Sequence, residues 1–257
     1  MFDQSLGFIG GGRIVSIFLG GWRRAGALPP KIAVYDTDNE VLKKLQAKYP
    51  EVETAAEIGA AASRDVVFLA VHPPVIKDVL PQIKPHLKSD ATLISLAPKF
   101  TIDKLSEMLG GHGRIARMIP NAPSIVGRGY NPAVFGPACA GEKERLFDLL
   151  RPLGDCPEVP EQHLETYALV SAMGLTFLWP QLFELSALAT SSGISRTTGL
   201  EAIEKMLSGG VAAMREAGLS SEEVQDLIPV KPVGDEVAAF ITAARPKLAG
   251  LLEKLRP

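Results

Sequence analysis

The sequence predicts an α/β domain followed by an all-helical domain. Up to about residue 118, short apolar runs alternate with amphipathic stretches, the pattern of strand–helix–strand units that build a parallel sheet. One run, DVVFLAV at residues 65–71, is apolar almost throughout, as a strand covered on both faces must be. After about Pro160 the strand-like alternation stops, and only helical segments follow.

The elements read as follows. Residues 6–9 (LGFI) form a strand that runs into glycines, and residues 14–25 a helix. Residues 31–35 (KIAVY) form a second strand and residues 40–48 a second helix. The strand at 65–71 is followed by a helix at 74–80, a strand at 91–96 (ATLISL), a helix at 102–109 and a strand at 114–118. Beyond the Pro-containing stretch of residues 156–161, helices are expected at 161–189, 196–217, 221–227 and 235–255. Ser195 and Ser220 stand at capping positions for the second and third of these. The expected domains are residues 1–158 and 159–257.

Composition narrows the function classes. With 22% charged residues and a net charge of −2, the chain has no basic stripe to meet nucleic acid. Cys139 and Cys156 lie in no C-x-x-C pair and no His cluster accompanies them, so no metal site is expected and both thiols are read as reduced. The N-terminus lacks the basic start of a signal peptide, which points to a cytoplasmic protein. Residues 167–188 are strongly apolar. Gln181, Glu184 and Pro180 interrupt them, and a buried helix is expected there rather than a membrane span of about 20 apolar residues.

The most informative local feature is the turn after the first strand. Gly10 permits a tight turn, and Gly12, without a side chain, lets the backbone approach a pyrophosphate. Arg13 and Ile14 then open a helix whose N-terminal N–H groups suit phosphates. Val15 stands where a small residue usually lets helix and strand pack tightly. The second strand ends at Asp36, followed by Thr37; a carboxylate there hydrogen-bonds the ribose hydroxyls of an adenosine. Together these residues point to a Rossmann-like, NAD(P)-binding first domain. Asp36 and Asp38 repel a 2′-phosphate and tilt the choice between NAD and NADP toward NAD. The counter-argument is an arginine, Arg13, Arg23 or Arg24, reaching a phosphate.

Three segments resemble the pyrroline-5-carboxylate reductase family. FIGGGRI at residues 8–14 resembles its F-I-G-x-G-x-M opening. DVVFLAVHP at residues 65–73 resembles D-V-V-x-L-A-V-K-P. RMIPNAP at residues 117–123, followed by VGRG at 126–129, resembles R-x-M-P-N-T-P-x-x-V-G-x-G. The similarity covers residues 5 to 160 and continues beyond in helical pattern. The resemblance implies that Val71, His72 and Pro73 contact the cofactor ribose or nicotinamide, that Ala97 lies near the same ring, and that Asn121 sits beside the nicotinamide as the catalytic candidate, its amide turned to the carboxamide or the substrate. His72 replaces the family's lysine and is read either as a proton donor or as a packing residue. The resemblance also implies hydride transfer to a C=N bond of a small-molecule substrate, and a C-terminal helical domain that makes a homodimer, with Glu184 in a structural role.

The substrate end departs from the family. Its S-G-S-G-P-A-Y segment corresponds to residues 171–177 (SAMGLTF), where only Ser171 and Gly174 are retained. Its T-S-P-G-G-T-T loop corresponds to residues 228–235 (IPVKPVGD), whose prolines lack N–H donors. Two readings stay open on the sequence: an oxidoreductase of this reaction type, whose substrate is pyrroline-5-carboxylate or another imine or carbonyl compound, and a non-catalytic dinucleotide-binding sensor or interaction protein.

Overall fold

The computed structural model describes residues 3–257. Its first unit is built on a seven-stranded sheet of order β3-β2-β1-β4-β5-β6-β8. The elements run β1 (Leu6–Ile9), α1 (Arg13–Arg24), β2 (Ile32–Tyr35), α2 (Asn39–Lys48), β3 (Glu53–Thr54), α3 (Ile58–Ala62), β4 (Val66–Leu69), α4 (Ile76–Ile83), β5 (Thr92–Ser95), α5 (Ile102–Met108) and β6 (Ile115–Met118). After these come β7 (Gly129–Tyr130), β8 (Ala133–Phe135), α6 (Lys143–Leu150), β9 (Gly154–Asp155) and α7 (Leu164–Tyr167). Every pairing within the large sheet is parallel except β6 with β8. The order reverses between β1 and β4, which opens a crevice at their carboxyl ends where ligands of such sheets bind.

Alternation along each strand sends side chains to two cores. On one face Phe8 and Phe68, opposite one another in register, stack at 4.7 Å, and Phe18 and Trp22 of α1 close over them. Trp22 is fully buried and donates its indole N–H to the Leu149 carbonyl at 2.8 Å. On the other face Val67, Leu69 and Leu93 pack under Ile76, Leu80 and Leu105 of α4 and α5. Burial of both faces accounts for the unbroken apolar run at residues 65–71.

The expected strands and helices up to residue 118 are present, with ends shifted by at most three residues. The helix expected at 74–80 starts as a 3₁₀ turn, Pro73–Val75, and becomes α-helical at Ile76. β3, α3, α6 and β7–β9 had no counterpart among the expected elements. The strands among them are two or three residues long, too short for a period to register.

The division of the chain corrects the expected boundary at residue 158. The first unit is Met1–Ala172 with Leu252–Pro257, and the second is Met173–Leu251. The first turns of the expected long helix belong to the sheet unit, because Leu164 and Ala168 are buried and Glu161 and Glu165 pair with an arginine of β6. Between α7 and the next helix lies a π-helical stretch, Ala168–Met173.

The second unit holds α8 (Leu175–Ser191), α9 (Arg196–Glu216), α10 (Ser221–Asp226) and α11 (Gly234–Leu255), the last turn of which belongs to the first unit. Ser195 caps α9 through Thr198 N, and Ser220 makes a full capping box with Glu223. Between Met173 and Leu251 only Ser186 and Gly199 are buried. Phe183 and Leu188 of α8 are 60% and 64% exposed, and Met214 of α9 is 72% exposed. The expectation that this apolar helix is buried therefore fails within one chain. Among the described residues, Glu161–Ser191 is the one helical run long and apolar enough to cross a membrane by length and composition.

Candidate functional site

The first three parallel connections of the crevice meet at one edge of the sheet. β1 ends at Ile9, and Gly10 takes φ +101°, a conformation open to glycine; a Cβ there would lie 2.7 Å from the Ala70 carbonyl oxygen. This turn brings Gly10 against Ala70 and Val71, at the end of β4. Gly11 donates its N–H to Asp36 Oδ2 at 2.7 Å, and Asp36 Oδ1 accepts from Asp38 N at 2.9 Å. The carboxylate at the end of β2 is thus fixed beside the glycine turn, with its oxygens oriented by two backbone donors.

Gly12 is different. It is exposed, and a Cβ built on it meets no protein atom within 4 Å. Its lack of a side chain answers no packing need of the chain itself. Gly12 is the N-cap of α1, no side chain caps that end, and no acidic residue occupies the first turn. The free N–H groups and positive dipole end of this helix therefore face outward past Gly12. An exposed, uncapped helix start behind a glycine, beside an oriented carboxylate, fits the pyrophosphate and ribose of a dinucleotide. Arg13 is exposed on the first turn, Ile14 is half-buried and Thr37 is exposed. Val15 is fully buried in the aromatic core, so the bulk at this position is absorbed by packing.

The other expected cofactor residues line the neighbouring loops. Val71 and Pro73 are half-buried and His72 is exposed at the start of the 3₁₀ turn after β4. Ala97, just past β5, is 3% exposed, and its N–H lies 3.4 Å from Ser95 Oγ. Leu96 N donates to the Leu69 carbonyl, which ties the start of this loop to the end of β4.

Asn121 does not take the role expected of it. Its Nδ2 donates to the carbonyls of Tyr130 (3.2 Å) and Ser171 (3.0 Å), and its Oδ1 accepts from Tyr130 N (3.2 Å). Both amide protons are engaged by backbone, so the side chain has no donor left for a carboxamide or a substrate. It clamps the loop after β6 to β7 and to the π-helical stretch. Asn131 assists: its Oδ1 accepts from Asn121 N and from Ser124 Oγ.

One cluster escaped the sequence reading. Arg117, on β6, is fully buried; its Nη1 donates to Glu161 Oε1 at 2.8 Å and its Nη2 to Glu165 Oε1. The same two oxygens accept backbone N–H groups, Glu161 from Ile102 at 2.8 Å and Glu165 from Lys99 at 3.3 Å. Lys99 is the one non-glycine residue with positive φ (79°) among the described residues, a conformation that costs on the order of 1 kcal/mol when a Cβ is present. The available signal was an arginine in an otherwise apolar strand, which demands buried carboxylates, and two glutamates one helical turn apart.

Titration adds little chemistry. Burial pushes the Cys156 thiol up to about 12 and raises that of Cys139, so neither is a thiolate at neutral pH. Both cysteines are free. No group of three metal-ligating side chains occurs among the described residues.

The sequence and the fold have known relatives. A family model described as NADP oxidoreductase, coenzyme F420-dependent, matches residues 5–99. Pyrroline-5-carboxylate reductase 3 of Xenopus laevis is 30% identical over 217 residues, which are 79% of this chain and 75% of the relative. The chain belongs to the pyrroline-5-carboxylate reductase family. The Corynebacterium melassecola pyrroline-5-carboxylate reductase is 27% identical across 92% of this chain and 88% of its own length. Among solved structures, the Coxiella burnetii pyrroline-5-carboxylate reductase aligns with a TM-score of 0.68 at 26% identity, covering 98% of this chain and 94% of that one. The Plasmodium falciparum pyrroline carboxylate reductase, solved with NADP bound, shares the fold with a TM-score of 0.70 at 22% identity, covering 99% and 95%. Family membership makes the chain an NAD(P)-dependent oxidoreductase of the pyrroline-5-carboxylate reductase type.

Proposed function

We propose that the chain reduces the C=N bond of a small cyclic imine, with pyrroline-5-carboxylate as the first candidate substrate. The imine follows from the family, and the observation that carries the cofactor part is the glycine turn: Gly11 N–H held by Asp36, Gly12 open, and the uncapped start of α1 behind it. When bound, the reduced nicotinamide cofactor supplies the hydride. The N–H groups of α1 hold its pyrophosphate, and Gly12 admits the close approach. Asp36 accepts from the adenosine ribose, and Val71, His72, Pro73 and Ala97 flank the ring end. Asn121 and Asn131 hold the loop above that end in place without touching the reacting atoms. A protonated imine needs no proton from the protein before it is reduced, so no general acid is assigned.

NAD is the preferred cofactor in this reading. The Asp36 carboxylate stands where a 2′-phosphate would have to enter, and two like charges at that range repel. The protein works in the cytoplasm as a homodimer, without nucleic acid or membrane partners. The dimer is supported by the second unit, which buries almost nothing on its own and carries an apolar cleft of about 690 Å³ lined by Phe177, Leu178, Phe240 and Ile241.

A binding-only role is the second reading, favoured by one observation. Residues 228–235 replace a donor-rich loop with two prolines, and Lys231 there is exposed. Oxidation of NADH and NADPH, followed by absorbance with pyrroline-5-carboxylate present, separates the two. Turnover, faster with NADH, is the expected result. Binding of a dinucleotide without turnover on any cyclic imine overturns the reductase reading in favour of the second.

A further inference from the structure

Arg117 sits in the middle of β6, paired in register with Ser95 of β5 and Val134 of β8. Ile115, two residues earlier on the same face, joins the core under α4 and α5, so Arg117 projects into that same apolar side. A charge buried there survives only if it is paired and hydrogen-bonded. Its partners, Glu161 and Glu165, lie at the start of the helical run after β9. Each carboxylate oxygen that meets the guanidinium also meets the backbone of the connection between β5 and α5, at Lys99 and at Ile102. The loop of residues 96–101 is therefore held near its far end by two charge-assisted acceptors, and at its near end by the Leu96–Leu69 hydrogen bond. Between these anchors lie Ala97, buried just past the carboxyl end of β5, and Lys99, kept in a left-handed conformation.

Besides tying the helical run to the sheet, the cluster accepts the N–H of Ile102 at the open start of α5 and the N–H of Lys99 in the strained loop at the carboxyl edge of the sheet. We propose that Arg117 is a positioning residue for the nicotinamide end of the cofactor site, acting through Glu161 and Glu165 to hold Lys99 and Ile102, and with them the loop that carries Ala97. The proposal rests on the reading of the crevice as a dinucleotide site. It assigns Lys99 a definite part: its left-handed backbone is the price of the loop's shape, and the Glu165 acceptor maintains it. A glycine at position 99 adopts that backbone without help.

The test combines Arg117→Lys, which reaches one carboxylate but lacks the fork that spans two, with Glu165→Gln, which keeps the shape and removes the charge. Each is made alone and with Lys99→Gly. Hydrogen exchange is followed at the amides of Lys99 and Ile102, together with kcat, KM and the dissociation constants of NADH and NADPH. In the single variants these two amides are expected to exchange roughly 10-fold faster while β4 and β5 stay protected. Turnover is expected to fall about 10-fold or more, since a misplacement of about 1 Å at the reacting end is that costly. The dissociation constant, set by the pyrophosphate and adenosine contacts, is expected to change less than about 3-fold. Lys99→Gly is expected to restore at least part of the lost turnover in both backgrounds. Unchanged exchange at Lys99 and Ile102 overturns the proposal, as does a uniform loss of protection across the sheet with turnover per folded molecule intact. Failure of Lys99→Gly to restore turnover overturns it as well. Exchange decides whether the network holds the loop even in a chain that binds neither NADH nor NADPH, so that outcome, which sinks the cofactor reading, is distinguishable from failure of the network.

Discussion

Replacing Gly10 and Gly12, two residues apart on one turn, should have opposite consequences. At Gly10, alanine must adopt φ +101° with its Cβ 2.7 Å from the Ala70 carbonyl oxygen. The left-handed conformation alone costs about 1–2 kcal/mol. Contact with backbone that cannot move adds to this, so a total loss of roughly 2–4 kcal/mol is expected. At Gly12, φ is −68° and a side chain meets no protein atom, so valine should change stability by less than about 1 kcal/mol. The same valine stands between the start of α1 and a pyrophosphate. Loss of one charge-assisted hydrogen bond, about 1.5–3 kcal/mol, corresponds to a roughly 10- to 150-fold weaker dissociation constant. Urea unfolding measures the first effect, with Trp22 as a reporter because it is fully buried in the folded chain. Titration with NADH and NADPH measures the second. A Gly12→Val protein that binds both dinucleotides within about 3-fold of wild type would refute the phosphate assignment. Equal destabilisation by both substitutions would refute the argument from open space.

Two further outcomes test other parts of the molecule. Asp65 ties the start of β4 to β1 through Ser5 N and Ser5 Oγ, and Lys88 beside it holds its carboxyl down at about 2. Because the folded value lies below the unfolded one, its stabilisation is present above about pH 4 and is lost as pH falls through about 2. The pair is partly exposed, so screening holds the effect to about 1 kcal/mol; Asp65→Asn should flatten the acid limb of the stability profile by that amount, and an unchanged limb would contradict it. Phe183→Asp and Leu188→Asp place charges on the exposed face of α8, where a single chain would tolerate them. Sedimentation should show a dimeric wild type and dissociated variants; a monomeric wild type would remove the case for the dimer.

The glycine turn and the carboxylate beside it were legible because their geometry is local. A glycine at the end of a strand, a second glycine opening a helix and an acidic residue ending the next strand lie close along the chain, and each requirement is set by a few neighbouring atoms. Gly10 makes the tight turn that reasoning requires, and Gly11, which had no assigned role, proves to be the donor that fixes the Asp36 carboxylate beside it. Asn121 was legible only as a member of a motif. Which atoms its amide meets depends on Tyr130 and on Ser171, fifty residues away, and no local rule ranks those against a ligand.

Sequence by itself determined the class of fold, the order of the principal strands and helices, the glycine turn after β1 and the family resemblance, because periodicity, capping and glycine chemistry act within a few residues. Tertiary structure alone decided the rest. It moved the division of the chain from residue 158 to Ala172, because Arg117 draws Glu161 and Glu165 onto the sheet unit. It left the apolar face of α8 uncovered within one chain. It turned Asn121 from a presumed catalytic group into a clamp and revealed the strained Lys99 loop held by buried charge. Each of these depends on pairings between residues distant along the chain, and burial and hydrogen-bond partners at such range are set only when the elements have packed.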